Sequence, residues 1–140
     1  MTEKAIVIDI DGVILDSSKV LKESNDDWNY FDRNCNGDDV ELIGNIKPFL
    51  KALSKDIRVV ISTARTEKIR PQTARKLWKY RVVFDDMYMR RIYDFRKDYE
   101  VKKDQIKAIM QKYDIVAFID DTEKNCNIAK EFGLLSLKVM

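Results

Sequence analysis

A chain of 140 residues has room for one sizeable hydrophobic core but not for two ordinary domains, so residues 1–140 are expected to form a single unit. Apolar residues make up 45% and charged residues 36%, a balance that excludes low-complexity and fibrous classes, and no apolar run is long enough to span a bilayer. The net charge of +2 conceals a segregation: residues 65–103 carry 13 of the 26 Lys and Arg against 6 acids, about +7, leaving about −5 elsewhere.

In chain order, strand-like apolar runs occur at residues 4–10, 57–62 (IRVVIS), 81–84 (RVVF), 115–119 (IVAFI) and 134–139 (LLSLKV). Residues 16–45 read as one extended irregular region, in which Trp28 and Phe31, three apart, look like a local helix packing stripe. Ile46, Phe49, Leu50 and Leu53 then form one helical stripe, and Ile106, Ile109, Met110 and Tyr113 another. Between them, Pro71 in TEKIRPQTARKLWKY fits a first helical turn or a kink. Thr122 is placed to cap a helix through Ala129 and Phe132 that Gly133 ends. Strands alternating with helices, without hairpin signals, give an α/β fold: a three-layer, doubly wound parallel sheet of about five strands, with minimal or no cap.

In such sheets ligands bind beyond the carboxyl ends of the strands, which sorts the polar residues. Asp9 and Asp11 end the first strand, Ser62 and Thr63 the second, and Asp120 and Asp121 the fourth. The chain has no histidine, so acid-base or metal chemistry must rest on carboxylates, and oxygen ligands favour Mg2+. In extended chain, carboxylates at 9 and 11 lie about 6.6 Å apart and repel by roughly 2 to 3 kcal/mol at an effective dielectric near 20. Four converging acids imply a bound cation; a single one would read as a turn or cap residue. Cys35 and Cys126 are far apart and read as free thiols, so no disulfide-linked partner is expected. The start, MTEKAIVIDID, lacks the features of a signal peptide, which makes the cytoplasm the expected compartment.

The run D-I-D-G-V at 9–13 resembles the first signature of the haloacid dehalogenase (HAD) superfamily of phosphohydrolases, and three further signatures follow in order: VVISTAR, Lys102 and AFIDD at 117–121. The resemblance implies a Rossmann-like HAD fold and an aspartyl-phosphate mechanism. Asp9 would be the nucleophile and Asp11 the acid and base; Gly12 would allow close backbone approach to the phosphate, and Thr63 would hydrogen-bond the phosphoryl group. Mg2+ would be held by the Asp9 carboxylate, the Asp11 backbone carbonyl and Asp120, with Asp121 assisting. At 100° per residue Lys102 lies about 30° from the centre of the Ile106 stripe and Lys103 about 70°, so Lys102 faces inward as the site's cation. The alternative is a surface pair of Lys102 with Asp98.

MYMRRIYDFRKDYEVKKDQI at 87–106 looks like the third-signature segment of the 3'-phosphatase domain of bacteriophage polynucleotide kinase-phosphatases, and STAR at 62–65 fits as well. This likeness brings Arg65, Asp98 and Lys102 into the site as substrate-contacting or site-organising residues. The sequence departs from that pattern at Val20, where a basic residue is expected, and has no kinase P-loop. Connections too short for a large lid leave an open site, suited to the end of a polymer. Arg90, Arg91, Arg96 and Lys97, interleaved with Tyr88, Tyr93 and Phe95, offer charge for phosphates and faces for bases, or else core and loop plugs.

The expected activity is therefore a Mg2+-dependent phosphatase removing a terminal 3'-phosphate from a nucleic-acid end or nucleotide. One alternative is a small-molecule or mononucleotide phosphatase. Another is a receiver-type phosphoacceptor domain, whose acceptor Asp should end a middle strand.

Overall fold

The computed structural model describes residues 2–53 and 55–140. Five strands form one parallel sheet: β1 (Glu3–Ile8), β4 (Ile57–Thr66), β5 (Asp86–Arg90), β6 (Tyr113–Asp120) and β7 (Ser136–Lys138), in the order β5-β4-β1-β6-β7. By sequence rank that is 3-2-1-4-5, the dinucleotide-fold order; receiver domains use 2-1-3-4-5, so this topology removes the receiver reading.

Alternation along the strands divides the interior into two cores. Ile6 and Ile8 of β1, with Val59 and Ile61 of β4, face one side, where they meet Ile10, Val13, Ile14 and Leu77 of α4 (Arg70–Lys79). Ala5, Val7 and Val60 face the other, against Ile106 and Ile109 of α5 (Asp98–Met110) and Ala129 of α6 (Glu123–Glu131). These are the three layers expected. Among the described residues no helix is long and apolar enough to cross a membrane.

Residues 16–45 are more regular than expected. They hold α1 (Ser18–Ser24), α2 (Trp28–Asn34) and a two-stranded antiparallel ribbon, β2 (Leu15–Asp16) with β3 (Glu41–Leu42). Helices of seven residues bury only one or two side chains each, here Val20 and Ser24 in α1 and Phe31 in α2, so their apolar period is too short to read. The stripe at 46–53 becomes α3 (Ile46–Ala52), but Phe49 stands 41% exposed, as does Met110 at the end of α5. Pro71 sits in the first turn of α4 after a 3-10 turn, Glu67–Ile69.

One strand is misplaced by the sequence reading. The third strand is DMYMR at 86–90, not RVVF at 81–84. After α4, Arg81 takes a left-handed φ of 57° and the amide of Val82 bonds back to Leu77, so the chain is still turning where the apolar run lies. Val82 is buried, but Val83 is 74% exposed. Pairing with β4 starts only once the Asp85 amide reaches the Val59 carbonyl, and Met87 and Met89 then supply the buried face.

Candidate active site

Register places the first carboxylate. Ile8 pairs with Ile61 on one side and Ile119 on the other, so β1 ends level with its neighbours and Asp9 emerges beside Ser62 and Asp120. Oxygens of Asp9, Asp120 and Asp121 all lie within 4.8 Å of one another. Burial pushes the Asp9 carboxyl well above its ordinary range; Lys102 opposes this, and Asp120, Asp11 and Asp121 reinforce it. Burial and then the Asp120 charge raise Asp121 to about 6. Three crowded carboxylates, two of them, Asp9 and Asp121, pushed toward the neutral form, are a fitting donor set for a hard divalent cation.

Lys102 is the internal counter-charge. Its side chain is 1% exposed, and its ammonium lies 3.1 Å from Asp9 Oδ1 and 3.3 Å from Asp120 Oδ2 while donating to the Ser62 carbonyl. Burial alone would lower its pKa, but the two carboxylates outweigh that and raise it. Lys103 is exposed, as the helical angle implies. Asp98 pairs not with Lys102 but with Arg90, at 2.6 Å.

Asp11 lies within a tight turn in which the amides of Val13, Ile14 and Leu15 all bond to the Ile10 carbonyl. Its carboxylate is gripped by Arg65, with Nε 3.0 Å from Oδ2 and Nη2 2.7 Å from Oδ1, and it accepts from the Ser17 hydroxyl. Arg65 spends its other donors on Asn36 Oδ1, Thr73 Oγ1 and the Cys35 carbonyl, with Phe31 stacked 5.9 Å from its guanidinium carbon. All five donors of this buried arginine are thus committed. These contacts are the kind a site-organising residue makes.

Gly12 has a φ of 85° and lies under Asp121, so it is required by close packing within the acidic cluster itself. Thr63 is fully buried; its hydroxyl accepts from the Arg65 amide, beneath a cavity wall formed by Ala64 and Arg65.

Sequence reasoning missed the supports. Gln105 accepts from Ser62 Oγ at 2.6 Å and donates to the Thr63 carbonyl at 2.9 Å, fastening α5 to the end of β4. Asn125 donates to both oxygens of Asp120, and Thr122 donates to Oδ1 through its amide and hydroxyl. Thr122 does head α6 but uses its side chain on Asp120 instead of the helix. Neutral Gln and Asn carry no spacing signal; only their distance from a strand end could have flagged them.

Asp9, Asp11, Gly12, Arg65, Lys102 and Asp121 line one open-sided cavity of about 910 Å3. The loop between β5 and α5 forms one wall. Arg90 is largely structural, bonding the carbonyls of Ala64, Asp94 and Arg96 as well as Asp98. Arg96 is held by Asp94 and Asp104. Arg91 has no ion-pair partner among the described residues. Tyr93 and Phe95, which could have been plugs, are 85% and 88% exposed. Trp28 on the facing α2 is 58% exposed, edge-on to the buried Phe31.

Residues 3–140 match the family model described as the polynucleotide kinase PNKP phosphatase domain. The chain belongs to that family. It is a HAD-type phosphatase domain, as the ordered signatures imply. Members of the fold superpose throughout: a chain in the structure of the Pnkp1/Rnl/Hen1 RNA repair complex is 26% identical with a TM-score of 0.81, over 99% of this chain and 42% of that one. The chain thus spans less than half of that relative. A haloacid dehalogenase-like hydrolase from Streptococcus pneumoniae (17% identity, TM-score 0.68, 100% of this chain and 85% of that one) shares the fold. So does a HAD family enzyme from Bacteroides thetaiotaomicron, described as a magnesium complex (17%, 0.63, 99% and 94%). No curated protein sequence matches.

Proposed function

We propose that residues 1–140 form a single-domain, Mg2+-dependent phosphatase that removes a terminal 3'-phosphate from a nucleic-acid strand through an aspartyl-phosphate on Asp9. The observation that carries this reading is the convergence of Asp9, Asp120 and Asp121 around one point with Lys102 buried behind them. Asp9 Oδ1 faces Lys102 and accepts the Ile10 amide at 2.8 Å, which fixes the carboxylate for attack on phosphorus. Asp11, oriented by Arg65 and Ser17, protonates the departing ester oxygen and then takes a proton from the hydrolytic water. Asp9, Asp120, Asp121 and the Asp11 backbone carbonyl would hold Mg2+, which when bound neutralises phosphate charge.

The polymer preference rests on the cavity's width and open side, on Arg91 and Lys97 at its rim, and on the exposed rings of Tyr93 and Phe95, which offer stacking faces. The RNA repair complex that contains a 26% identical chain points the same way and extends the reading to nucleic-acid repair. A cytoplasmic location accords with it. Phosphate release from 3'-phosphorylated DNA and RNA oligonucleotides, with Mg2+ or EDTA, tests the proposal. Release should need the metal and vanish in Asp9→Asn; activity surviving in that variant removes Asp9 as nucleophile, and equal turnover of a nucleoside 3'-monophosphate removes the polymer preference.

A further inference from the structure

A second cleft, of about 830 Å3, opens between α2 and the segment comprising the 3-10 turn and α4. Its walls carry Arg33, Lys68, Arg75, Lys76 and Lys79 against a single carboxylate, Asp32. Arg33, Lys68 and Arg75 are exposed and have no ion-pair partner among the described residues. Lys79 meets only the fully exposed Asp38, at 3.5 Å. Lys76 is buried and donates to the Gly37 carbonyl at 2.8 Å, and burial followed by the charge of Lys79 lowers its pKa. Like charges are therefore crowded into a concave surface where five cations face only Asp32, with Asp38 and Glu41 at its edge, a cost that a bound polyanion relieves.

The arrangement is directional. Gln72, Arg75 and Lys79 recur at three- and four-residue steps, so they share one face of α4, and Arg75 to Lys79 is a rise of about 6 Å. That is a row of donors suited to evenly spaced phosphates. The row also leads to the chemistry, because Asn29, Asp32 and Lys68 line both this cleft and the catalytic cavity. An ordinary solvated helix face would be convex and end at no site.

We propose that this cleft is a polyanion subsite, holding the phosphodiester backbone of a nucleic-acid strand whose terminal phosphate lies in the catalytic cavity. It deepens, and rests on, the polymer reading above. Polymer affinity is then supplied mainly by α2 and α4 rather than by the end of β5 and the loop after it, where Arg90 and Arg96 are held by internal partners and, of the arginines, only Arg91 has no ion-pair partner among the described residues.

The test uses the triple variant Arg33→Ala, Arg75→Ala, Lys79→Ala, with an unchanged melting temperature and unchanged turnover of p-nitrophenyl phosphate as controls for folding. Fluorescence anisotropy measures binding of a labelled single strand of about 12 nucleotides, within the site sizes of single-strand binders and lacking a terminal phosphate. The variant should bind on the order of tenfold more weakly, and its slope of log affinity against log salt should be shallower by about 2, from three contacts at about 0.7 each. The ratio kcat/KM for the 3'-phosphorylated strand should fall in parallel. Equal binding by both proteins, or no binding by the unsubstituted one, overturns the subsite. Competition by polyglutamate as effective as by nucleic acid reassigns the cleft to a protein partner and overturns it as well. Cleft-dependent binding without phosphate release from the strand would instead sink the proposed activity alone and leave the subsite standing.

Discussion

Gly12 and Asp121 are packed so closely that a Cβ on Gly12 would stand 2.0 Å from Asp121 Oδ2. With a φ of 85° at residue 12, alanine there meets both a strained backbone and a carboxylate that must move. Gly12→Ala should therefore displace Asp121 from the acidic cluster and weaken Mg2+ binding by about 10- to 100-fold, the usual effect of disturbing the groups around a metal's ligands. Activity titrated against Mg2+ measures it. A normal Mg2+ midpoint in the variant would mean that Asp121 has no part in holding the ion.

Lys102 is the only cation that touches Asp9 and Asp120 among the described residues. Lys102→Met keeps much of the side chain's volume but leaves two buried carboxylates facing each other. Removing one partner of a buried ion pair costs about 3 to 5 kcal/mol, far more than loss of a surface pair. Denaturant unfolding of the metal-free protein should show that loss, with part of it recovered when Mg2+ is added. A change within about 0.5 kcal/mol, typical of a surface position, would mean the lysine is not the site's counter-charge.

How much of this was legible in the sequence depends on the kind of signal each residue carries. The central strands were found because both faces are largely buried, which leaves apolar runs such as AIVI and, with Val116 the one exposed residue, IVAFI, and the carboxylates stood out by breaking those runs. The inward aim of Lys102 followed from helical geometry alone. The third strand was misplaced because RVVF has the composition of a strand while occupying the turn after α4, whereas DMYMR carries buried methionines behind an acidic start. The roles of Arg65 and Arg90 could not be read, since an arginine bound to substrate and one bound to backbone carbonyls look alike in sequence. The cleft between α2 and α4 was invisible for a different reason: it joins residues 33 and 75, and only the basic bias of residues 65–103 hinted at it.

Stability should depend on pH in an unusual direction when the metal is withheld. Asp121 is raised to about 6 and Asp9 is raised well above its ordinary value, both chiefly by burial. In the unfolded chain each ionises near 3.9. Between those values the folded state binds more protons than the unfolded one, so stability falls as pH rises from about 4 through 6. Asp94, held at about 2 by Arg96, titrates below this window and does not mask the trend. Melting temperatures in EDTA should drop from pH 5 to pH 7.5, and Mg2+ should stabilise more at pH 7.5 than at pH 5. The drop should flatten in Asp121→Asn; an unchanged slope there would place its origin elsewhere.

Arg65 holds Asp11 with two hydrogen bonds, and if it serves to position that carboxylate its substitution has a distinctive kinetic signature. Arg65→Lys keeps the charge but cannot reproduce the two-pronged grip on Asp11, nor reach Asn36, Thr73 and the Cys35 carbonyl together. Freed acceptors should lower stability by about 1 to 3 kcal/mol. A misaligned acid and base slows the chemical step, for which a displacement of about 1 Å can cost on the order of 100-fold. The expected result is kcat reduced by about that factor with KM for the phosphorylated strand little changed, and an altered pH profile for kcat. A raised KM with kcat intact would be the mark of an arginine that binds the phosphate directly, and would mean that the grip on Asp11 opens when substrate arrives.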